Sequence, residues 1–220
     1  MVMLCRQPCR LLRFPAHPLH LRSSCSLQAA KDWSVTDAGS RNLSLRQDLH
    51  VVLVHPQIPQ NAGSIARTCA ATGVPLHLVK PLGFEISSRL LKRAGLDYWP
   101  YVCVAIHESW QDFVRHVESQ PGKQKLIGFS KRGSIHHATP GLYQSSSWLL
   151  YGAETDGLPP EAFEMCDQPS HAMARIPILE TYVRSLNLAV STGIGVYEAL
   201  RQLDGPVLPP ISGQAPATQQ

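Results

Sequence analysis

Three short segments, far apart in the chain, each set polar groups beside glycine or proline just after an apolar run. In Gln57-Ile-Pro-Gln-Asn-Ala-Gly-Ser-Ile-Ala-Arg67, proline stiffens the turn. Asn61, Gly63 and Ser64 then open a helix whose free N–H groups can bind an anion. Arg67, one turn inside, can project from the same end, although an ordinary Asn cap with a surface arginine would give the same letters. In Tyr151-Gly-Ala-Glu-Thr-Asp-Gly-Leu-Pro159 two glycines bracket Glu154 and Asp156, and glycine permits positive φ and close approach of backbone to a flat ligand. The two carboxylates could form a hydrolytic pair. Two residues apart in a loop, they carry no geometric warrant for one, and a plain Asp-Gly turn fits equally. In Arg175-Ile-Pro-Ile and Arg184-Ser-Leu-Asn187, Ser185 or Asn187 can cap the following helix. Backbone groups of Ile176 and Ile178 beside Pro177 offer hydrogen bonds against an apolar wall, which suits a purine ring. There is no G-x-G-x-x-G and no G-x-x-x-x-G-K-[ST], which argues against dinucleotide and P-loop readings.

Loops of this kind belong at the carboxyl ends of strands in an α/β protein, and the rest of the chain supplies such strands. Apolar β-type runs at Leu49–Val54, Leu76–Val79, Val102–Ile106, Lys125–Phe129, Trp148–Tyr151 and Ala172–Ile176 alternate with helical patterns. The helices are expected at Asn61–Ala71, Ser87–Ala94, from a Ser109/Asp112 capping box to Val117, at Pro159–Met165 and at Leu186–Leu203. The alternation predicts an α/β fold, a mostly parallel sheet with helices on both faces.

Composition narrows the classes. Apolar residues make up 44% and charged residues 16% of 220, an ordinary globular balance. No apolar run reaches the roughly 18–20 residues of a membrane span. Residues 1–30 carry Arg6, Arg10, Arg13 and Arg22 and no acid, so they account for the whole formal charge of +4. Any contact with RNA must therefore come from a local patch of the body. This arginine- and serine-rich leader predicts an organellar transit peptide, chloroplast or mitochondrion. Residues 31–48 read as a linker, 49–203 as the domain, and the Pro/Gly/Gln/Ala-rich 204–220 as a disordered tail. Cys69, Cys103 and Cys166 show no metal or disulfide spacing and read as small buried hydrophobes. His136 and His137, adjacent on an extended segment, are expected to point apart, and no metal is predicted. Lys92, Arg93, Lys131 and Arg132 are candidate phosphate contacts and Tyr98 or Trp99 candidate stacking partners. A solvated basic face and a buried aromatic pair would leave the same residues.

Taken together, the three segments resemble motifs one, two and three of the SpoU branch of the SPOUT methyltransferases. The signature positions are Asn61/Gly63/Arg67, Gly152/Glu154/Gly157-Leu158 and Pro177/Ser185/Asn187. Leu91-Lys-Arg-Ala-Gly-Leu-Asp-Tyr98 and Val196-Tyr-Glu-Ala-Leu-Arg201 resemble the compact TrmL-like tRNA 2′-O-methyltransferases. The likeness runs from about Leu49 to Leu203. It implies a C-terminal trefoil knot, which topology rules alone would reject, and S-adenosylmethionine as cofactor, with contacts at Phe129, Gly152, Ile176, Ser185 and Asn187. It implies a homodimer using the last helix, where Ala189, Gly193 and Gly195 would allow close approach or pack internally. The reaction implied is methylation of a ribose 2′-oxygen at the tRNA wobble nucleotide. Arg67 would act on the hydroxyl, and Asn61 and Glu154 would position Arg67 and the ribose. Asp156 and Glu180-Thr-Tyr-Val depart from the subgroup's pattern outside the three motifs. An rRNA or another tRNA nucleotide is the alternative substrate. A silent RNA-binding or assembly factor is the alternative class, and it would not require Asn61, Arg67, Glu154, Ser185 and Asn187 intact.

Overall fold

The computed structural model describes residues 45–85, 102–179 and 181–205. Four expectations lie outside these residues: the transit peptide, the helix at 87–94 with Lys92, Arg93, Tyr98 and Trp99, most of the linker, and the tail beyond Gly205.

The described chain runs β1 (Leu49–Val54), α1 (Pro59–Thr72), β2 (Leu76–Val79), β3 (Val104–His107), α2 (Trp110–Glu118), β4 (Lys125–Phe129), β5 (Ile135–His136), β6 (Ser147–Tyr151), α3 (Pro160–Cys166), β7 (Ala172–Arg175) and α4 (Leu188–Asp204). Six strands and four helices fall close to the expected positions. The two-residue β5 was not foreseen, being too short to show a pattern. Among the described strands all pairings are parallel, in the order β3-β2-β1-β6-β4-β7-β5. The sheet is covered on both sides, apolar on one and apolar on the other except for histidines of β1, β2 and β3. Leu49, Val51, Leu53, Leu149 and Tyr151 face α1 and α4. Val52, Val54, Trp148 and Leu150 face α2 and α3.

The strand order contains a crossover. β4 and β5 are consecutive in the chain, yet β7 lies between them, and Phe129 and Ile135 both pair with Ala174. The connection 130–134 therefore arches over β7. Ser130 N–H donates to Ala174 O at 3.0 Å, and a Cβ on Gly133 would overlap the Ala174 carbonyl. Ahead of β1, the Arg46 guanidinium lies 2.7 Å from Asp48 and 2.9 Å from Asp204, tying this segment to the end of α4.

Candidate active site

The three motif loops emerge together at the carboxyl edge of β1, β6 and β7, and one carboxylate gathers the first two. Glu154 accepts hydrogen bonds from Gln57 N–H (2.8 Å), Ile58 N–H (3.2 Å) and the Asn61 amide (2.9 Å). Asn187 extends the chain, donating from Nδ2 to Asn61 Oδ1 at 2.9 Å. The Asn187 Oδ1 caps α4, accepting from Ala189 N–H at 2.8 Å and Val190 N–H at 3.3 Å. The series Glu154–Asn61–Asn187 thus bonds motif two to motif one and motif one to motif three.

This geometry corrects several expectations. α1 begins at Pro59, with Ile58 as its cap residue and no side-chain cap of its own. Asn61 is not the cap; it is buried in the first turn with both ends of its amide used. The N–H groups just ahead of α1 meet Glu154, so the protein supplies the anion that a free helix start would attract. Arg67 lies about two turns inside α1, some 12 Å along its axis, and roughly 120° around from Asn61. It is exposed, on the side of α1 shared with Gly63 and Ser64. Asn187 rather than Ser185 caps α4, and its side chain is engaged by the protein.

Around Gly152 the second loop closes on itself. Ala153 and Gly157 exchange two backbone hydrogen bonds of 3.0 and 2.9 Å. A Cβ on Gly152 would overlap Gly157, and Gly157 sits at φ +74°. Gly152 is therefore demanded by the loop's own packing and Gly157 by its backbone conformation, whatever approaches them. Asp156 is exposed and shares the Thr155 hydroxyl (2.8 Å) with Gln57 Oε1 (2.9 Å). Glu154 and Asp156 make different contacts, and no hydrolytic pair is formed.

On the other side of the edge, Phe129 stacks on Tyr151 with ring centroids 4.7 Å apart and planes 17° from parallel. Gly195 of α4 covers both rings, and a Cβ there would come within 2.8 Å of Phe129 Cζ. Gly195 thus packs internally, whereas Gly193 faces open space. The Tyr151 hydroxyl is buried with no hydrogen-bond partner, and burial pushes its pKa well up. Ile176 and Ile178 are half-buried on either side of exposed Pro177. Among the described residues, the main-chain polar groups of Ile176 and Ile178 receive no hydrogen bond from the protein. Unpaired backbone donors and acceptors against an apolar wall fit the planar adenine of S-adenosylmethionine. Ser185 is exposed in the same connection.

Lys131 and Arg132 lie exposed on the crossing 130–134. The Arg132 guanidinium is 4.5 Å above the Phe163 ring, a cation–π contact. Arg175 and Arg184, to which the sequence assigns no role, are exposed in the motif-three connection. Cys69 and Cys166 are buried with thiol pKa values pushed up to about 12 by burial, which keeps them protonated. Cys103 is only half-buried. The rings of His136 and His137 do not diverge as expected; their centroids are 4.6 Å apart. Among the described residues, no group of three or more His, Cys, Asp or Glu could hold a metal ion.

Comparison with known proteins places these loops in context. Residues 48–197 match the profile of the SpoU rRNA methylase family. A tRNA (cytidine(34)-2′-O)-methyltransferase of Burkholderia cenocepacia is 40% identical over 156 residues, which span 70% of this chain and 94% of the relative. A Synechocystis protein provisionally given the same name is 53% identical over 153 residues, spanning 70% and 95%. A structure solved to explain 2-OH methylation of C/U34 on tRNA superposes with a TM-score of 0.61 at 46% identity, covering 70% of this chain and 95% of the other. An AdoMet-bound rRNA methyltransferase from Sinorhizobium meliloti gives 0.61 at 30% identity, covering 73% and 60%.

Proposed function

The chain belongs to the SpoU methylase family, and from that premise we propose that it transfers the methyl group of S-adenosylmethionine to a ribose 2′-oxygen of tRNA, at the wobble nucleotide. The observation that carries this reading is the Glu154–Asn61–Asn187 series, which holds the three motif loops at one sheet edge. The substrate follows from the relative named for cytidine 34, matched over 94% of its length.

When bound, S-adenosylmethionine supplies an electrophilic methyl group on a sulfonium. A ribose hydroxyl attacks poorly until its proton leaves, so the protein must stabilise negative charge growing on the 2′-oxygen. Arg67 is assigned that part. A guanidinium stays protonated up to about pH 12, so it orients the hydroxyl and stabilises the alkoxide without acting as the base. Glu154, Asn61 and Asn187 are positioning residues: their hydrogen bonds fix the loops and the start of α1. The main-chain groups of Ile176 and Ile178 would hold the adenine of that cofactor, and Phe129, Gly152 and Ser185 would supply its other contacts. Lys131, Arg132, Arg175 and Arg184, all exposed, supply phosphate contacts that position the RNA.

The test of Arg67 is substitution by lysine, which keeps the charge and loses the planar fork. Methyl transfer by Arg67→Lys should fall by about 10²-fold or more, while calorimetry finds cofactor affinity unchanged. Near-normal transfer would take Arg67 out of the reaction.

The working unit is a homodimer built on α4. Val190 and Tyr197 are 51% and 59% exposed and lie seven residues apart, on one side of the helix. Between them Gly193 leaves space for a partner to approach closely. Tyr197→Asp should convert a sedimenting dimer to monomer; an unchanged mass would discard this face.

A further inference from the structure

On the sheet face away from α1 and α4, a row of histidines lies apart from the motif loops. His50 of β1, His77 of β2 and His107 of β3 are joined ring to ring. His50 Nδ1 is 3.2 Å from His77 Nε2, and His77 Nδ1 is 3.0 Å from His107 Nε2. His116 of α2 stands over the row, its ring centroid 5.5 Å from His77 and 5.1 Å from His107. Trp148 of β6 closes the inner end, stacked on His50 at 3.9 Å. His77 and His107 are buried.

Proton counting shows what this row tolerates. Each N···N contact needs one N–H and one lone pair, and a neutral imidazole carries one of each. Three neutral rings therefore satisfy both contacts. One added proton can still be placed, with both outer nitrogens protonated. A second cannot: it leaves at least one contact with N–H on both sides. The charged groups facing the cluster are Asp48, just before β1, toward His50, and Asp112 of α2 toward His107 and His116. The His107 Nδ1 to Asp112 distance is 3.9 Å, beyond a hydrogen bond.

We propose that His50, His77, His107 and His116 form an acid-operated latch, which holds α2 and the edge strand β3 on the sheet while neutral and releases them when doubly protonated. β3 stands at the end of the strand order and pairs with β2, so one strand alone holds it to the sheet. Its release reaches the motif-one loop. Lys80 N–H donates to His107 O and Gly83 N–H to Pro56 O, both at 2.9 Å. Gly83 packs so closely on Gln57 that a Cβ would come within 2.6 Å of the Gln57 Cα. Burial, followed by the neighbouring imidazoles, holds these rings below the ordinary histidine value, His50 and His107 at about 4 and His77 further down. His116 is lowered by burial, and Asp112 opposes the shift. Because the folded values lie below the unfolded one, stability is full above about pH 6.5 and is lost as pH falls from there toward 4.

The test is hydrogen exchange and urea unfolding of the full chain between pH 7.5 and 5.5, and it does not depend on the reaction assigned above. At pH 5.5 each histidine kept neutral by the fold lowers the folded-to-unfolded ratio about tenfold. Segment 104–118, and with it Gln57 and Ile58, should lose protection well before segment 147–151. His116→Gln should recover up to about tenfold of the acid loss, and Asp112→Asn should enlarge it. The latch is overturned if 104–118 and 147–151 lose protection together, or if His116→Gln and Asp112→Asn both keep the wild-type pH dependence.

Discussion

Glu154 holds the site through three donors, two of them backbone amides of the motif-one loop. Glu154→Gln keeps the shape and replaces one acceptor oxygen by an NH2 that must face a donor. The expected cost is about 1–3 kcal/mol, because a charge-assisted bond is lost and a donor left unmatched. Urea unfolding would read it. Cofactor affinity should fall with it, since Asn61 and Asn187 lose their common anchor; normal affinity in Glu154→Gln would contradict the positioning role. Asn61, Glu154 and Asn187 were all legible in the sequence as polar residues beside turns. Their mutual hydrogen bonds were not, because partners 93 and 126 positions apart leave no local periodicity. For the same reason Gln57, whose amide and side chain both serve motif two, was passed over.

The elements were more readable than their ends. Ser109 caps α2 by accepting from Asp112 N–H at 3.1 Å, as its spacing with Asp112 suggests, yet the Asp112 carboxylate reaches Glu108 N–H rather than closing a box on Ser109. Helical spacing likewise located α4 without telling which of its small residues faces inward. Gly195 settles against Tyr151 and Phe129, and that contact makes a prediction. Gly195→Ala overlaps the Tyr151 hydroxyl and should destabilise by roughly 1–3 kcal/mol. Tyr151→Phe removes a buried hydroxyl that has no partner and should itself be neutral or stabilising. The double variant should therefore recover part of the loss. Additive effects in a thermal-unfolding cycle would mean that the two residues do not share this contact.

At the scale of the whole molecule, alternating patterns announce a parallel sheet and stop there. Strand order is set by which strand inserts between which, and the crossing of 130–134 over β7 follows from Gly133 and Ala174 meeting in space, not from any letter near them. Arg46 likewise looks like part of a polar linker until Asp204 is brought beside it. The most direct test of the whole account is transfer of labelled methyl from S-adenosylmethionine to tRNA by the full chain, with the modified nucleotide mapped and Arg67→Ala as control. A 2′-O-methyl group at the wobble nucleotide, absent with the control, is the predicted result. Label confined to rRNA or to another tRNA position would contradict the substrate, and no transfer despite cofactor binding would contradict the reaction.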